Sequence, residues 1–132
     1  MGEPLRAQAR EWFDRGDRDL DSATLLFDQH GHLDSVTYHV QQALEKHLKG
    51  YLVLRGERPP RVHDLDTLLG RVADFEPDLY DPYIELCERA TRYYLEDRYP
   101  PGPPPDYDRD EVAADLQSTR QLISALQERA ET

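Results

Sequence analysis

One stretch in the first half of the chain, Val40–Lys49, combines apolar positions with amide and charged side chains. Gln42, Lys46 and Lys49 are separated by four and three residues, so they share one face of a helix. Amide and ammonium groups donate hydrogen bonds, and this face is predicted to bind a phosphate or a partner's carboxylate. Glu45 lies one turn before Lys49. The alternative is therefore a surface Glu45–Lys49 ion pair, which stabilises a helix by only about 0.2–0.5 kcal/mol.

The sequence around this stretch is basic, although the chain as a whole is acidic. The formal net charge of −11 opposes non-specific attraction to nucleic acid. Between Glu45 and His63, however, there are five basic residues and two acidic ones. This segment is therefore predicted to form an anion-binding patch or, alternatively, a solvated helix end followed by a loop.

A second group of candidate binding residues lies later in the chain and combines tyrosines with an arginine. An aromatic ring beside a guanidinium group can stack on a base while the charge meets a phosphate. Tyr94, Arg98 and Tyr99 are therefore candidate ligand-binding residues. The alternative is core packing, in which Tyr94 is buried except for its hydroxyl group. Arg98 and Tyr99 are predicted to line a groove where the helix ends.

Histidine and cysteine usage predicts neither a metal site nor a catalytic thiol. His30 and His32 are close in sequence but are predicted to form an exposed pair, so no metal or other cofactor is expected. Cys87, the single cysteine, lies in an apolar helical pattern and is predicted to be a buried structural thiol. Glycine-rich phosphate loops and nucleophile elbows are also absent from the sequence.

Five amphipathic helices must position these residues, because apolar side chains recur at three- and four-residue steps in five segments. The first helix is predicted to begin at Leu5 and to be broken by Gly31. The second is predicted to be capped by Asp34 or Ser35 and to stop at Gly56. No segment shows convincing strand alternation, so the fold class is predicted to be all-α.

The remaining three helices are marked by acidic caps and by prolines. The third helix is predicted to begin at Asp64 and to include Phe75. The fourth is predicted to have Pro82 in its first turn and to continue to the tripeptide 98–100. The fifth is capped by Asp108 and continues to the carboxyl end.

These helices are predicted to form one domain over residues 1–132, an up-and-down helical bundle. The five prolines between Pro100 and Pro105 predict a stiff strap, assigned to residues 100–107, between the fourth and fifth helices. No apolar run approaches the roughly 18 residues of a membrane span, and the amino terminus lacks an apolar signal. A cytoplasmic location without membrane contact is therefore expected.

Three motifs in series identify a family. QQALEKHLK, RPPRVHDLDTLL and YYLEDRYP resemble, in order and spacing, signatures of the HEPN (higher eukaryotes and prokaryotes nucleotide-binding) family. Trp12, followed by the pair Asp19 and Leu20, is also similar to that family. The last motif resembles the branch that has an arginine-tyrosine-proline signature, and the resemblance spans roughly residues 9–126.

The resemblance implies a bundle of about five helices that is commonly a homodimer. It also implies a minimal nucleotidyltransferase as partner, often in a toxin-antitoxin pair, and a nucleotide or RNA as ligand. Family members that cleave RNA resemble one another in an arginine followed, after four to six residues, by a histidine on a late helix. Neither Arg89 nor Arg92 has a histidine at that spacing. Arg58 and His63 satisfy the spacing only in a loop that contains two prolines, so His63 is interpreted mainly as a residue that fixes this loop.

These observations predict a binding module rather than an enzyme. Its ligand-binding residues are predicted to be Gln42, Glu45, Lys46, Lys49, His63, Tyr94, Arg98 and Tyr99. The prediction requires the second helix and the exit of the fourth to lie side by side. The first alternative is a metal-independent ribonuclease, for which Arg58, His63 and Arg92 are the catalytic candidates. The second alternative is a structural helical adaptor.

Overall fold

Five α-helices and one short 3₁₀ turn build the molecule in a computed structural model that describes residues 2–95 and 106–131, with only the backbone at positions 94 and 95. The predicted all-α class is confirmed, and this part of the chain contains no β-strand. Most of the predicted proline strap lies outside the described residues. The elements are α1 (Gly2–Asp28), α2 (Leu33–Leu54), α3 (Leu65–Ala73), the 3₁₀ turn (Pro77–Leu79), α4 (Tyr80–Leu95) and α5 (Arg109–Ala130).

The second helix, α2, is the centre of the bundle. It packs against α1, α3, α4 and α5, and 14 of its 22 residues are buried. Its apolar residues join side chains from the other helices in one core cluster. Burying a side chain such as Leu44 or Leu48 contributes about 1.5–3 kcal/mol, so this helix supplies much of the driving force for folding.

Two glycines allow α1 and α2 to approach each other closely. A Cβ atom at Gly16 would lie 2.5 Å from the ring of His47, and one at Gly50 would lie 2.7 Å from the ring of Phe13. Both distances are shorter than a van der Waals contact. The hairpin of α1 and α2 therefore depends on the absence of a side chain at these positions.

Residues in the left-handed region end both long helices of the hairpin. Gly56 has φ 81° and follows α2, as predicted. Its amide donates to the Val53 carbonyl at 2.9 Å, and the next amide, of Glu57, donates to the Leu52 carbonyl at 2.9 Å. At the end of α1, where the sequence predicts that Gly31 breaks the helix, the left-handed residue is His30, with φ 56°. Gly31 comes one residue later and its amide closes the turn.

Two predicted helix boundaries are wrong. The second helix begins at Leu33, after an extended His32, so neither Asp34 nor Ser35 is its cap. The third helix ends at Ala73, and Phe75 lies beyond it with 41% of its surface exposed. The prediction for the fourth helix is confirmed. The 3₁₀ turn leads directly into a helix that begins at Tyr80, so Pro82 falls within the first turn, where its missing amide costs no hydrogen bond.

Two other sequence predictions are confirmed at α4 and α5. Cys87 on α4 is fully buried, and burial raises the pKa of its thiol to about 12. Asp108 caps α5, where its carboxylate accepts a hydrogen bond from the Glu111 amide at 3.1 Å. None of the helices described is both long and apolar enough to cross a membrane.

Candidate functional site

A buried carboxylate connects α2 to the loop that precedes α3. Glu45 lies on the buried side of α2, and its Oε1 is 3.0 Å from Gln41 Nε2 and 2.9 Å from His63 Nδ1. Its Oε2 accepts a hydrogen bond from Lys49 Nζ at 3.0 Å. The side chains of Glu45 and Lys49 are each 9% exposed, so the predicted i,i+4 pair exists but is not a surface pair.

This network keeps Glu45 ionised and fixes the loop. Burial raises the pKa of Glu45, but hydrogen bonds from His63, Gln41 and Lys49 outweigh burial and lower the pKa below its ordinary value. Gln41 Nε2 also approaches the His63 carbonyl at 3.3 Å. His63 therefore holds the loop to α2, as its sequence position before α3 predicts.

Next to this network is an open groove of about 610 Å³, which we call the basic groove. It is lined by Trp12, Lys49, Arg71 and the loop residues 58–61. Lys49 Nζ lies 5.8 Å from the centre of the Trp12 ring, within the range of a cation–π contact. The groove thus presents four cations around one half-buried aromatic ring.

Two of the four cations have no partner among the described residues. Lys49 binds Glu45, and Arg71 Nη2 lies 3.1 Å from Glu57 Oε1. Arg58 and Arg61 are exposed and form no ion pair or hydrogen bond with residues 2–95 or 106–131. Their guanidinium groups are therefore available to an anion, because no carboxylate of the described chain neutralises them.

Lys46 lies on the α1 side of α2 and not in the basic groove. Its ammonium group binds Asp19 of α1, whose other oxygen is 2.8 Å from His39 Nδ1. Gln42 donates to the side-chain carbonyl of Gln41 at 2.6 Å and so lies at the edge of the Glu45 network. The predicted face of Gln42, Lys46 and Lys49 is thus divided between two neighbouring sites.

The later group of predicted site residues is only partly described. Arg98 and Tyr99 lie outside the described residues, and nothing is described of the Tyr94 side chain. Helices α2 and α4 do contact each other, but the exit of α4, where the sequence predicts a cleft, lies outside the described residues. Arg92 is exposed on α4, while its neighbour Tyr93 is buried and donates a hydrogen bond to Asp115 of α5.

Sequence reasoning missed Trp12 and Arg71 as members of the site. Trp12 belongs to the apolar stripe of α1, and Arg71 is an ordinary basic residue near the end of α3. Only the packing of α1 and α3 around α2 brings them to the groove, so no local pattern marks them. Within the described ranges no cluster of three or more histidine, cysteine or acidic side chains is arranged to hold a metal ion.

A family model and a solved structure each match most of this chain. The family model of the HEPN domain matches residues 9–129. A solved structure described as the crystal structure of TT1696 from Thermus thermophilus is 25% identical, with a TM-score of 0.79. That match covers 92% of this chain and 97% of the other. No curated protein matches the chain.

Proposed function

Because the chain belongs to the HEPN domain family, we propose that it is a nucleotide- or RNA-binding module whose binding site is the basic groove. One observation carries this proposal: Arg58 and Arg61 lie without carboxylate partners of the described chain beside Trp12 and Lys49. In a chain with a net charge of −11, unneutralised cations around an aromatic ring are best explained by an anionic ligand with a flat base.

The groove suits a phosphate attached to a flat base better than a carboxylate alone, because Trp12 can stack on the base. Each guanidinium group offers several N–H donors in a plane and can bind two phosphate oxygens at once. The Lys49 ammonium adds a cation near Trp12, while Glu45 holds that ammonium in place. A base stacked on Trp12 would thus have its phosphates within reach of the loop arginines.

The fluorescence of Trp12 provides the test, because this residue is the only tryptophan of the chain. We expect ATP and a short uridine oligonucleotide to quench it. The double variant Arg58→Gln/Arg61→Gln should bind about tenfold or more weakly, since a hydrogen bond to a charged group contributes about 1.5–3 kcal/mol.

The matched control is Arg6→Gln/Arg10→Gln, which removes the same charge from another face of α1. An equal loss of nucleotide affinity in both double variants would show a general charge effect and would contradict the basic groove as the binding site. If no nucleotide or RNA binds the wild type while the chain still binds protein partners, the structural-adaptor function replaces this proposal.

We further propose that the module acts as a homodimer with a minimal nucleotidyltransferase, as one half of a toxin-antitoxin pair. Family membership supports this proposal. Light scattering would test the dimer, and co-purification with a nucleotidyltransferase encoded in the adjacent reading frame would test the partner. A monomer that copurifies with no such enzyme would contradict both parts.

A second candidate function is RNA cleavage, and the contact between Glu45 and His63 favours it. The carboxylate lies 2.9 Å from His63 Nδ1 and orients the ring, whose side chain is 48% exposed. An imidazole oriented by a carboxylate is the arrangement of a general base. Cleavage that persists through rigorous purification and is lost in His63→Ala, but not in Arg92→Ala, would promote this candidate. Absence of cleavage across a broad RNA panel would exclude it.

A further inference from the structure

The basic groove continues along the hairpin of α1 and α2 into two further grooves. The first, about 280 Å³, is lined by Gln8, Glu11, Trp12, Arg15 and Lys46. The second, about 310 Å³, is lined by Arg15, Arg18, Asp19, Ser22 and Lys46. Trp12 belongs to the basic groove and to the first of these, and Arg15 and Lys46 belong to both of the others. The three grooves are therefore contiguous, and we call them together the cationic band.

The band follows one stripe of α1. Trp12, Arg15 and Ser22 recur at three- and seven-residue steps and face the same side of the helix. Arg6, Arg10 and Asp17 line a separate groove between α1 and α5. The helix thus carries two distinct polar faces, and only the face of Trp12 joins the basic groove.

The added cations can meet an anion at low cost. Arg18 has no ion-pair or hydrogen-bond partner among the residues described. Arg15 pairs with Glu11 at 3.2 Å, but the two side chains are 63% and 68% exposed. Exposed pairs of this kind contribute little, so a phosphate can replace the carboxylate of Glu11. Lys46 remains bound to Asp19 and marks the less basic part of the band.

The band is longer than one nucleotide. From Trp12 to Arg18 it extends roughly 9 Å along α1, at about 1.5 Å per residue. The loop arginines extend it on the other side of Trp12. Successive phosphates are about 3.4 Å apart along the axis of a duplex strand and further apart in an extended single strand, so the α1 portion accommodates about one further phosphate.

We propose that the cationic band binds a single-stranded nucleic acid several nucleotides long, with one base stacked on Trp12 and phosphates on both sides of it. This inference rests on the proposed function and adds its ligand class. A duplex is a poorer ligand, because its bases are already stacked on one another and leave no free face for the indole ring. The α1 cations determine how many nucleotides of the ligand are bound.

The experiment compares ligands of increasing length by Trp12 quenching: UMP, uridine dinucleotide and tetranucleotide, and an oligomer of about eight nucleotides, within the usual site sizes. We expect the affinity to rise with length in the wild type. Arg15→Gln/Arg18→Gln should weaken the longest oligomer about tenfold and leave UMP unchanged. It should also reduce the dependence of log Kd on log salt by about one for each phosphate that the variant no longer binds.

Two further variants separate this inference from the proposed function. Arg58→Gln/Arg61→Gln should weaken every ligand, UMP included, and Arg6→Gln/Arg10→Gln should weaken none by more than about twofold. If UMP binds through Arg58 and Arg61 but affinity does not rise with the length of the oligomer, the proposed binding along the cationic band is contradicted and the proposed site in the basic groove is not. If no ligand binds, both proposals fail.

Two further ligands show which kind of nucleic acid the cationic band binds. A deoxythymidine oligomer of the same length distinguishes DNA from RNA within the proposed class. A duplex that binds as tightly as the single strand would overturn the stacking on Trp12. Trp12→Leu, followed by anisotropy of a labelled oligomer, should weaken binding, and Trp12→Phe should restore part of it.

Discussion

At the scale of single residues, Glu45 connects more polar groups of the described site than its neighbours do. It accepts hydrogen bonds from Gln41 and Lys49, and it contacts His63. Replacing a buried carboxylate leaves a buried ammonium group without its counter-charge. We expect Glu45→Gln to lower the free energy of unfolding by about 2–4 kcal/mol, measured by urea denaturation.

Glu57→Gln is the matched control for that change. Glu57 also pairs with a cation, but its side chain and that of Arg71 are 35% and 41% exposed. An exposed pair contributes about 0–1 kcal/mol, so this variant should unfold almost like the wild type. If the two variants lose the same free energy of unfolding, the burial of Glu45 does not explain its contribution to stability.

His47 makes stability depend on pH. Its ring is fully buried, stacks on Phe13, and lies with Nε2 3.1 Å from Asp17 Oδ1. Burial lowers the pKa of His47 below its ordinary value of 6.5, and Asp17 only partly opposes this. As the pH falls, His47 therefore binds a proton in the unfolded chain before it does so in the folded chain. The stabilisation by neutral His47 is present above pH 6.5 and is lost as the pH falls towards the lower pKa of the folded state.

We expect the free energy of unfolding to fall between about pH 7.5 and 5.5, by at most about 1.4 kcal/mol per pH unit from this one group. Denaturation curves of His47→Gln should show a flatter dependence over the same range. His30→Gln, which changes an exposed residue, should keep the slope of the wild type. If the free energy of unfolding of His47→Gln depends on pH as steeply as that of the wild type, His47 is not the group that causes this dependence.

The sequence reveals Glu45, Lys49 and His63 because each belongs to a short motif. The spacing of Glu45 and Lys49 places them one turn apart in any helix, and the histidine precedes a helix start. It does not reveal that the pair is buried, because burial depends on α3 and its loop covering α2. For the same reason Lys46 looks equivalent to Lys49 in the sequence but binds Asp19 of α1 in the structure.

At the scale of helices, the contact between α1 and α2 depends on Gly16 and Gly50. A Cβ at either position would overlap the ring of His47 or Phe13. We expect Gly16→Ala and Gly50→Ala each to destabilise the protein by about 1–3 kcal/mol, because overpacking outweighs the better helix propensity of alanine. Thermal unfolding followed by circular dichroism would measure this loss.

Gly70→Ala is the control within another helix. No atom lies within 4 Å of a Cβ built at Gly70 in α3, so only the helix propensity changes. This variant should be stabilised by about 0.5–1 kcal/mol. Stabilisation in all three variants would show that the hairpin tolerates a wider separation.

Helix number and order are predictable from sequence, whereas helix ends are less so. The apolar period of α1 and α2 is long enough to identify them, and Gly56 marks the end of α2 correctly. The start of α2 is missed because its N-cap, His32, makes no side-chain cap. The left-handed residue at the end of α1 is not apparent from the sequence, because His30 adopts a conformation that glycine usually adopts.

At the scale of the whole molecule, protection from solvent is concentrated in α2. More than half of its residues are buried, whereas α1 buries only Ala9, Gly16, Asp19 and Ala23. We expect amide hydrogen exchange to be slowest in the middle of α2 and to approach the global free energy of unfolding there. The first turns of α1 should exchange fastest among the helices. Equal protection in both would show that the hairpin opens as one unit.

The candidate site is a property of the assembled bundle. The basic segment between α2 and α3 is visible in the sequence as a local excess of arginine and lysine. Its extension along α1 is not, because Arg15 and Arg18 stand among acidic residues there. Only the packing of α1 on α2 brings these arginines beside Lys46 of α2. The family assignment, by contrast, follows from the motifs and is confirmed.

The burial of Cys87 makes the native chain a clean background for site-specific chemistry. Its only thiol is inside the core and stays protonated at neutral pH, so maleimide reagents have no target while the bundle is closed. A cysteine introduced at Arg61 would then be the single attachment point for a dye or spin label at the rim of the basic groove. Delayed labelling of Cys87 itself would report how often the packing around α4 opens.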